Sequence, residues 1–335
     1  MKYFYFILVI LLVGCSNEDR SITNHDVAQD TNSVVKDNSY ISETDFIYDT
    51  VVTIQIYDNK DMDILNEAFE LCHKYENKFS RTIPNSEISR INSAKGEPIV
   101  VSDDTIELLK LGIYYSKLSD GVFDITIAPV SILWNFTENK DIPLNIETAL
   151  NNVDFNSILI KGNTVTLTNP DAMIDLGGIA KGFIADKIKE FLKSKGVTNA
   201  IINLGGNILL IGNKPDGSDF NIGIQKPFSP VGTVITTCSI NDSSLVTSGV
   251  YERYFEVDGK IYHHVIDPST GYPVETDLYG VTIVSKSSAA GDALSTICLA
   301  KGLDESLKFL ERVANEQGVI QAIFITDNMD IVYFP

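Results

Sequence analysis

The spacing of apolar and polar positions predicts a chain in which strands and helices are mixed. Residues 46–57 are rich in β-branched and aromatic side chains, which is typical of a strand. Residues 61–80 instead carry apolar side chains three and four positions apart, and this period predicts an amphipathic helix. A further helix is expected between Ser102, which precedes an acidic first turn as a capping residue, and the stop at Gly121.

Three hairpins are predicted where turn residues separate short β-rich segments. Their turns are expected at Lys161-Gly162-Asn163, Asp258-Gly259 and Asp327-Asn328. The helices and hairpins do not alternate as regular βαβ units, so the pattern favours an α+β fold with mixed or antiparallel sheets and packed helices. We find no internal repeat and no second linker, and we therefore expect one folded domain over residues 41–335.

The first residues of the chain predict export and attachment to a membrane. Residues 1–14 hold one Lys and an apolar run too short to cross a bilayer, as in a signal peptide. The ending LLVGC resembles a bacterial lipobox, in which Cys15 is lipidated; an ordinary signal peptide with a chance Cys is the alternative. Residues 15–40 are then the lipidated Cys and a polar, disordered tether. We expect a lipoprotein on the extracytoplasmic, periplasmic side of the membrane.

The charge of the chain restricts its partners. The formal net charge is −19, and loss of residues 1–14 removes only Lys2, which makes it −20. Because the protein is strongly acidic, its surface is expected to repel nucleic acids and anionic lipids. An anionic ligand must therefore be held by a local device, such as a metal, a helix N-terminus or a single cation. The cysteines beyond Cys15 all lie in apolar segments and are expected to be buried free thiols; they are Cys72, Cys238 and Cys298.

Residues 172–183, AMIDLGGIAKGF, have the character of an anion site. An apolar extended segment meets a glycine pair and then a helix, so backbone N–H groups and the positive helix end point to one place. Lys181 in the first turn adds a full charge. The glycine spacing matches neither the P-loop nor the Rossmann pattern. A tight structural turn beside a solvated Lys explains the same residues equally well.

Two further segments carry polar residues among apolar ones. Residues 121–134, GVFDITIAPVSILW, include Asp124, but a core strand turning into a helix accounts for them on their own. Residues 262–274, YHHVIDPSTGYPV, contain the adjacent His263 and His264, which should face opposite sides of a strand. One His is then expected to face a cleft and the other to be exposed, while the turn-rich DPSTGYP segment also suits a purely structural loop.

Residues 288–302, SAAGDALSTICLAKG, predict a helix with oxygen ligands on one face. Asp292 and Thr296 stand four positions apart, so their side chains project together. A carboxylate and a hydroxyl suit a hard cation such as Mg²⁺, and the small neighbouring residues allow close approach. A helix whose Asp bonds locally is the simpler alternative.

Taken in order, these segments resemble the FAD:protein FMN transferase family, also called ApbE. The resemblance covers most of the chain after the tether. Seven motifs carry it, namely FSRTIPNSEISRIN (79–92), FDITIAPVSILW (123–134), IDLGGIAKGF (174–183), NLGGNI (203–208), TSGVYERYF (247–255), HVIDPSTGYP (264–273) and GDALSTI (291–297). It implies an ApbE-like flavin transferase fold and an enzyme that splits the pyrophosphate of FAD, transfers FMN to a Thr or Ser of a protein as a phosphoester, and releases AMP.

The resemblance also implies partners and roles. The acceptors are typically extracytoplasmic subunits of membrane redox complexes. Mg²⁺ would be held by Asp292, Thr296 and a backbone carbonyl, most simply that of Gly178, and His264 would be catalytic. The residues that would contact FAD are Asp175, Lys181, Val122, Phe123, Asp124, Thr82, Tyr48 and Ile266. The chain departs from the family at Tyr48-Asp49-Thr50, where Met-Gly-Thr is usual.

These residue types suit transfer of a phosphoryl-type group, which needs alignment and charge neutralisation. Mg²⁺ and Lys181 would offset the pyrophosphate charge. His264, with a pKa near neutral, would take the proton of the acceptor hydroxyl or orient that hydroxyl. Two alternatives share the pocket. One is an FAD pyrophosphatase that uses water as acceptor and gives FMN and AMP. The other is a non-catalytic lipoprotein that only binds FAD.

Overall fold

A computed structural model describes residues 40–138 and 140–335. The expectations of a signal peptide over residues 1–14 and of a lipidated Cys15 lie outside the described residues, as does the tether up to residue 39. Within the described ranges, no helix has both the length and the apolar character needed to cross a membrane.

The described residues form strands β1–β15 and α-helices α1–α8, with one short 3-10 turn at Phe155–Ser157. The strands are β1 Ile41–Ile47, β2 Thr50–Ile56, β3 Ile99–Val100, β4 Ile158–Lys161, β5 Thr164–Leu167, β6 Ala200–Leu204, β7 Asn207–Ile211, β8 Phe220–Gln225, β9 Val234–Ile240, β10 Ser244–Gly249, β11 Tyr254–Val257, β12 Lys260–His263, β13 Leu278–Ser285, β14 Val319–Thr326 and β15 Ile331–Phe334. The helices are α1 Met62–Phe79, α2 Glu87–Ser93, α3 Asp103–Leu118, α4 Ala128–Trp134, α5 Ile146–Leu150, α6 Ala180–Ser194, α7 Ser288–Lys301 and α8 Leu303–Gln317.

An eight-stranded antiparallel sheet is the centre of the fold. Its strand order is β1-β2-β6-β7-β10-β13-β14-β15. Successive side chains of a strand point to opposite faces, so Ile202 joins the main core with the helices, whereas Ile201 packs with the β8–β9 hairpin on the other face. Both faces of β6 and β7 are therefore buried. The predicted α+β class with antiparallel sheets and packed helices is confirmed.

Helices α6 and α7 cross at very short distance, and this contact positions the site described below. A Cβ on Gly182 would lie 2.3 Å from the carbonyl oxygen of Ser288, so only glycine fits there. Asp186, one turn later in α6, accepts hydrogen bonds from the N–H groups of Ser288 and Ala289 at 2.9 and 3.0 Å. This carboxylate thus satisfies orphan donors in the first turn of α7.

Most predicted elements are present, with two corrections. The helix over residues 61–80 and the three hairpins are confirmed. Residues 46–57, however, are not one strand, because Tyr48 and Asp49 have φ angles of 59° and 56° and turn β1 back into β2. Ser102 does not cap α3 with its side chain; its hydroxyl donates to Glu87 instead. The cysteines are buried free thiols, as expected for Cys72, Cys238 and Cys298.

Candidate functional site

A cleft of about 470 Å³ brings together every site residue predicted in the folded part of the chain. It lies between the glycine-rich entry to α6, the first turns of α7, the loop after β10 and the segment that follows β12. The predicted residues that line it are Tyr48, Thr82, Val122, Phe123, Asp124, Asp175, Gly178, Lys181, His264, Ile266, Asp292 and Thr296. The role of each of these residues depends on its local contacts.

Asp292 is the most buried charge of the cleft. Its side chain projects from α7 toward α6 and is only 4% exposed. Oδ2 accepts a 2.9 Å hydrogen bond from the N–H of Gly182. Burial raises the pKa of this carboxyl, while the positive charge of Lys181 and the Gly182 N–H oppose that rise. Within the described residues Oδ1 accepts no hydrogen bond, so one carboxylate oxygen remains available to a ligand.

Thr296 and Gly178 lie beside Asp292 and supply oxygen atoms of other kinds. The Thr296 hydroxyl is 3.2 Å from Ser248 Oγ and 3.3 Å from the main-chain oxygen of Asp292. A Cβ placed on Gly178 would be 3.8 Å from Thr296 Oγ1 and 2.8 Å from the Phe123 ring, so the glycine backbone lies against both. A carboxylate, a hydroxyl and a backbone carbonyl are the donors that hard cations prefer.

The oxygen donors beside Asp292 differ in kind from a cluster of His, Cys, Asp and Glu side chains. No group of three or more His, Cys, Asp or Glu side chains that could hold a metal occurs in residues 40–138 and 140–335. Only one carboxylate, Asp292, contributes to the set formed with Thr296 and Gly178. Such a set fits Mg²⁺, which usually binds one or two carboxylates and completes its shell with water and substrate phosphate.

Asp175 is held by three donors. Its Oδ2 accepts from Arg81 Nε at 2.9 Å and from Ser131 Oγ at 3.2 Å, and its Oδ1 accepts from the N–H of Gly177 at 2.9 Å. Arg81 was missed from the sequence, although it lies inside the FSRTIPNSEISRIN motif beside Thr82. Its partner Asp175 lies 94 positions away, and no local pattern in the sequence predicts that the two residues pair.

Lys181 supplies the positive charge expected at the start of α6. Its Nζ lies 3.4 Å from the carbonyl oxygen of Gly177. The same ammonium lowers the pKa of His264 and counteracts the burial-induced rise of the pKa of Asp292, so its field reaches both walls of the cleft. The start of α6, the glycine pair and Lys181 thus line one cleft, and the anion site stays a prediction.

The two adjacent histidines face different surroundings, as the strand geometry predicts. His264 lines the cleft, whereas His263 points away and lies 3.2 Å through Nε2 from the carbonyl of Val274. The expectation that the second His is exposed is wrong, because His263 is 5% exposed. A near-neutral pKa for His264 is also wrong for the free cleft: burial, aided by Arg253, lowers that pKa to about 3. The imidazole is therefore neutral at physiological pH.

Glu252 and Arg253 are two further charged residues of the cleft that the sequence analysis did not single out. They belong to the TSGVYERYF motif and follow β10. Glu252 is exposed to solvent, yet the surrounding protein removes part of its hydration and raises the pKa of its carboxyl, against the opposing charges of Lys181 and Arg253. The cleft thus gathers three cations, Lys181, Arg81 and Arg253, on an otherwise acidic protein.

The segment around Asp124 forms a wall whose polar groups are already used. Asp124 Oδ1 accepts from Thr126 N and Oγ1 at 2.7 and 2.6 Å, and Oδ2 accepts from Phe155 N at 3.1 Å. Its carboxylate therefore fixes the local turn, and contact with a ligand would come from the backbone or from the neighbouring Val122 and Phe123.

Tyr48, Thr82 and Ile266 complete the predicted lining. The Tyr48 hydroxyl donates to the carbonyl oxygen of Cys72 at 2.5 Å, and the main-chain N–H of Tyr48 donates to Glu76. Tyr48 is therefore anchored to α1. Thr82 lies 3.0 Å from Ser80 through the hydroxyl oxygens. Ile266 is 8% exposed and pairs with Pro273 in an isolated bridge. Asp49 has a left-handed φ of 56°, a conformation that glycine adopts without strain.

Comparison with known proteins agrees with the motifs. A model of the ApbE family matches residues 48–324. The FAD:protein FMN transferase of Klebsiella pneumoniae (strain 342) is 33% identical over 304 residues, which cover 89% of this chain and 93% of that relative. The FAD:protein FMN transferase of Treponema pallidum (strain Nichols) is 31% identical over 85% of this chain and 84% of its own length.

Solved structures show the same fold. The ApbE protein of Thermotoga maritima superposes with a TM-score of 0.79 at 32% identity, over 88% of this chain and 96% of that one. The flavin transferase ApbE of Vibrio cholerae gives a TM-score of 0.78 at 26% identity, with the same coverage of 88% and 96%. The ApbE-like fold expected from the motifs is confirmed. The chain therefore belongs to the ApbE family.

Proposed function

We propose that this protein is a Mg²⁺-dependent FAD:protein FMN transferase that attaches FMN to a Thr or Ser of an acceptor protein and releases AMP. One observation carries the proposal: Asp292, Lys181 and His264, from three separate segments, line a single cleft. Family membership supports the flavin chemistry, since the curated relatives described above are named FAD:protein FMN transferases. In this proposal the cleft would supply a metal site, a cation and a proton acceptor, which the reaction needs.

Asp292, Thr296 and the carbonyl of Gly178 would hold the metal. Bound there, Mg²⁺ would neutralise pyrophosphate charge and act as a Lewis acid on the phosphoryl oxygens. The protein contributes a fixed geometry, because the Gly182 N–H keeps Asp292 in place and Ser248 orients the Thr296 hydroxyl. Lys181, at the start of α6, adds a second positive charge on the same side of the cleft.

The transfer step needs one bond to form and one to break. The acceptor hydroxyl oxygen attacks the phosphorus on the FMN side of the pyrophosphate, and the bond from that phosphorus to the bridging oxygen breaks. AMP departs with the bridging oxygen, and the hydroxyl proton is taken up by His264. His264 is neutral at physiological pH, because its pKa is lowered to about 3, so its lone pair is free to receive that proton.

The low pKa also indicates when His264 becomes an effective base. In the free cleft, burial and the nearby Arg253 and Lys181 charges disfavour its protonated form. A pyrophosphate anion placed among those cations would offset their charge and raise the pKa of His264, although burial, the larger cause of the lowered pKa, would remain. Proton transfer to His264 would then be easier with FAD bound than in the empty cleft.

The place of action and the partners are part of the same proposal. The apolar start and LLVGC sequence of the chain support export and a lipid anchor at Cys15, as in a palmitate-bearing bacterial lipoprotein. The acceptors would then be extracytoplasmic flavin-carrying subunits of membrane redox complexes. The net charge of −19 disfavours binding of nucleic acid, which is itself negatively charged.

Incubation with FAD, Mg²⁺ and a domain bearing an acceptor Thr tests the proposal. Intact-mass spectrometry should show the acceptor heavier by one FMN group, and replacement of its Thr by Val should abolish the increase. Free FMN with an unmodified acceptor would instead identify an FAD pyrophosphatase. FAD binding without AMP release would identify a non-catalytic flavin-binding protein.

A further inference from the structure

A buried amide in the cleft wall lacks a partner for its donor group. Asn207, the first residue of β7, is 2% exposed and lines the cleft. Its Nδ2 has no hydrogen-bond partner among the described residues. A buried donor left unpaired costs about 1–3 kcal/mol and calls for an explanation, such as a bound ligand or water. Asn207 lies within the NLGGNI motif, but the transfer step gives it no task.

Neighbouring hydroxyls fix the direction of the amide. Ser288 Oγ donates to Asn207 Oδ1 at 2.6 Å, and Ser244 Oγ in turn lies 2.9 Å from Ser288 Oγ. The carbonyl side of the amide is therefore held by Ser288 of α7, and the NH₂ group is left without a partner on a residue that lines the cleft. Side chains held in this way lose little further freedom when a ligand binds.

The position of Asn207 points to the pyrophosphate rather than to the flavin ring or the adenine. Its partner Ser288 and the proposed metal ligand Asp292 stand four residues apart on one face of α7, so they are about one helical turn from each other. Gly182, which bonds to Asp292, also packs against Ser288. The Asn207 amide and the Asp292 carboxylate thus belong to the same end of the α6–α7 crossing.

We infer that Asn207 binds substrate by donating a hydrogen bond from Nδ2 to a pyrophosphate oxygen of FAD. This inference rests on the proposed function, because it takes FAD to be the substrate of the cleft. The Asn207 amide is an uncharged donor, so it would bind a phosphate oxygen beside Asp292 through a hydrogen bond. It would not compete with the cation that Asp292 would bind. Hydrogen bonds to charged groups are among the stronger ones in proteins.

Two substitutions test the inference by flavin fluorescence titration. Asn207→Asp keeps the shape and the acceptor for Ser288 but replaces the donor with a second oxygen. Asn207→Leu removes the donor without adding charge. We expect the dissociation constant of FAD to rise at least tenfold in both variants, while that of riboflavin, which lacks phosphate, stays within about twofold. The same two changes at Asn221, an exposed residue of β8 that does not line the cleft, are the controls.

Unchanged FAD binding in either variant would overturn the inference, and so would an equal loss of FAD and riboflavin affinity. Loss in Asn207→Asp alone would also contradict it, since charge repulsion without a direct hydrogen bond would then suffice. Because binding is read without turnover, the result is separable from the proposed function. Wild-type protein that binds FAD through Asn207 but never modifies an acceptor would refute the transferase and leave this contact intact.

Discussion

The main-chain N–H of Gly182 donates a 2.9 Å hydrogen bond to Oδ2 of Asp292, although 110 residues separate them. This bond joins α6 to α7 at the residue proposed to bind the metal. It gives Asp292 two separable roles, since one oxygen accepts from the backbone and the other remains available to a ligand. A variant that keeps the acceptor but loses the charge can therefore distinguish structure from chemistry.

Asp292→Asn should retain the fold and lose transfer. The amide oxygen can still accept from Gly182 N–H, but the negative charge that attracts Mg²⁺ is gone, so we expect activity to fall by roughly 100-fold or more. Thermal denaturation and an FMN-transfer assay over a range of Mg²⁺ concentrations measure the two effects. Wild-type activity at the same Mg²⁺ concentration would remove Asp292 from the metal site.

Gly182→Ala should destabilise the protein strongly. The added methyl would lie 2.3 Å from the Ser288 carbonyl oxygen, a backbone atom that cannot move without separating the two helices. We expect a loss of about 3 kcal/mol or more in the free energy of unfolding, measured by urea denaturation. Gly291→Ala is the matched helical control, because its new methyl would meet side-chain atoms at 3.0 Å. An equal effect of both changes would refute the special role of the Gly182 crossing.

Arg81→Ala should weaken FAD binding by about tenfold, since it removes a cation from the cleft and frees Asp175 from its ion pair. Isothermal titration with FAD measures the change. Arg90→Ala provides a control, because Arg90 bonds to the Val100 carbonyl away from the cleft. If both variants bind FAD as the wild type does, Arg81 is only a structural partner of Asp175.

His263 should make the folded state sensitive to acid. Burial lowers its pKa to about 4 from 6.5, so between these values the unfolded chain binds a proton that the folded protein does not. Stability therefore falls as the pH drops from 6.5 toward 4, by up to about 3 kcal/mol for a shift of this size. In His263→Gln the amide can still donate to the Val274 carbonyl. The loss of stability that is due to His263 between pH 6.5 and 4 should then be absent. Parallel stability curves for the two proteins would contradict the assignment.

The local elements of this fold were predictable from the chain, because they depend on nearby residues. The four-residue spacing placed Asp292 and Thr296 on one face of a helix, and α7 confirms that helix. Strand geometry separated His263 from His264. The glycine pair and Lys181 of residues 172–183, from which an anion site was predicted, all line the cleft.

The long-range contacts were not predictable. Arg81 pairs with Asp175, and Asp186 holds the start of α7, over separations of 94 and about 100 residues, and nothing in either local sequence encodes the partner. The pKa of His264 was misjudged for the same reason, since burial and the nearby Arg253 are products of the assembled cleft. The turn at Tyr48 and Asp49 was missed because no glycine marks it.

The ratio of AMP released to acceptor modified tests the central claim most directly. With FAD, Mg²⁺ and an acceptor domain in excess, we predict one AMP for each FMN-bearing acceptor, measured by chromatography and intact mass on the same samples. His264→Gln should slow both products together while binding FAD normally. AMP released in large excess over modified acceptor, accompanied by free FMN, would show that water is the true acceptor and would contradict the transferase account.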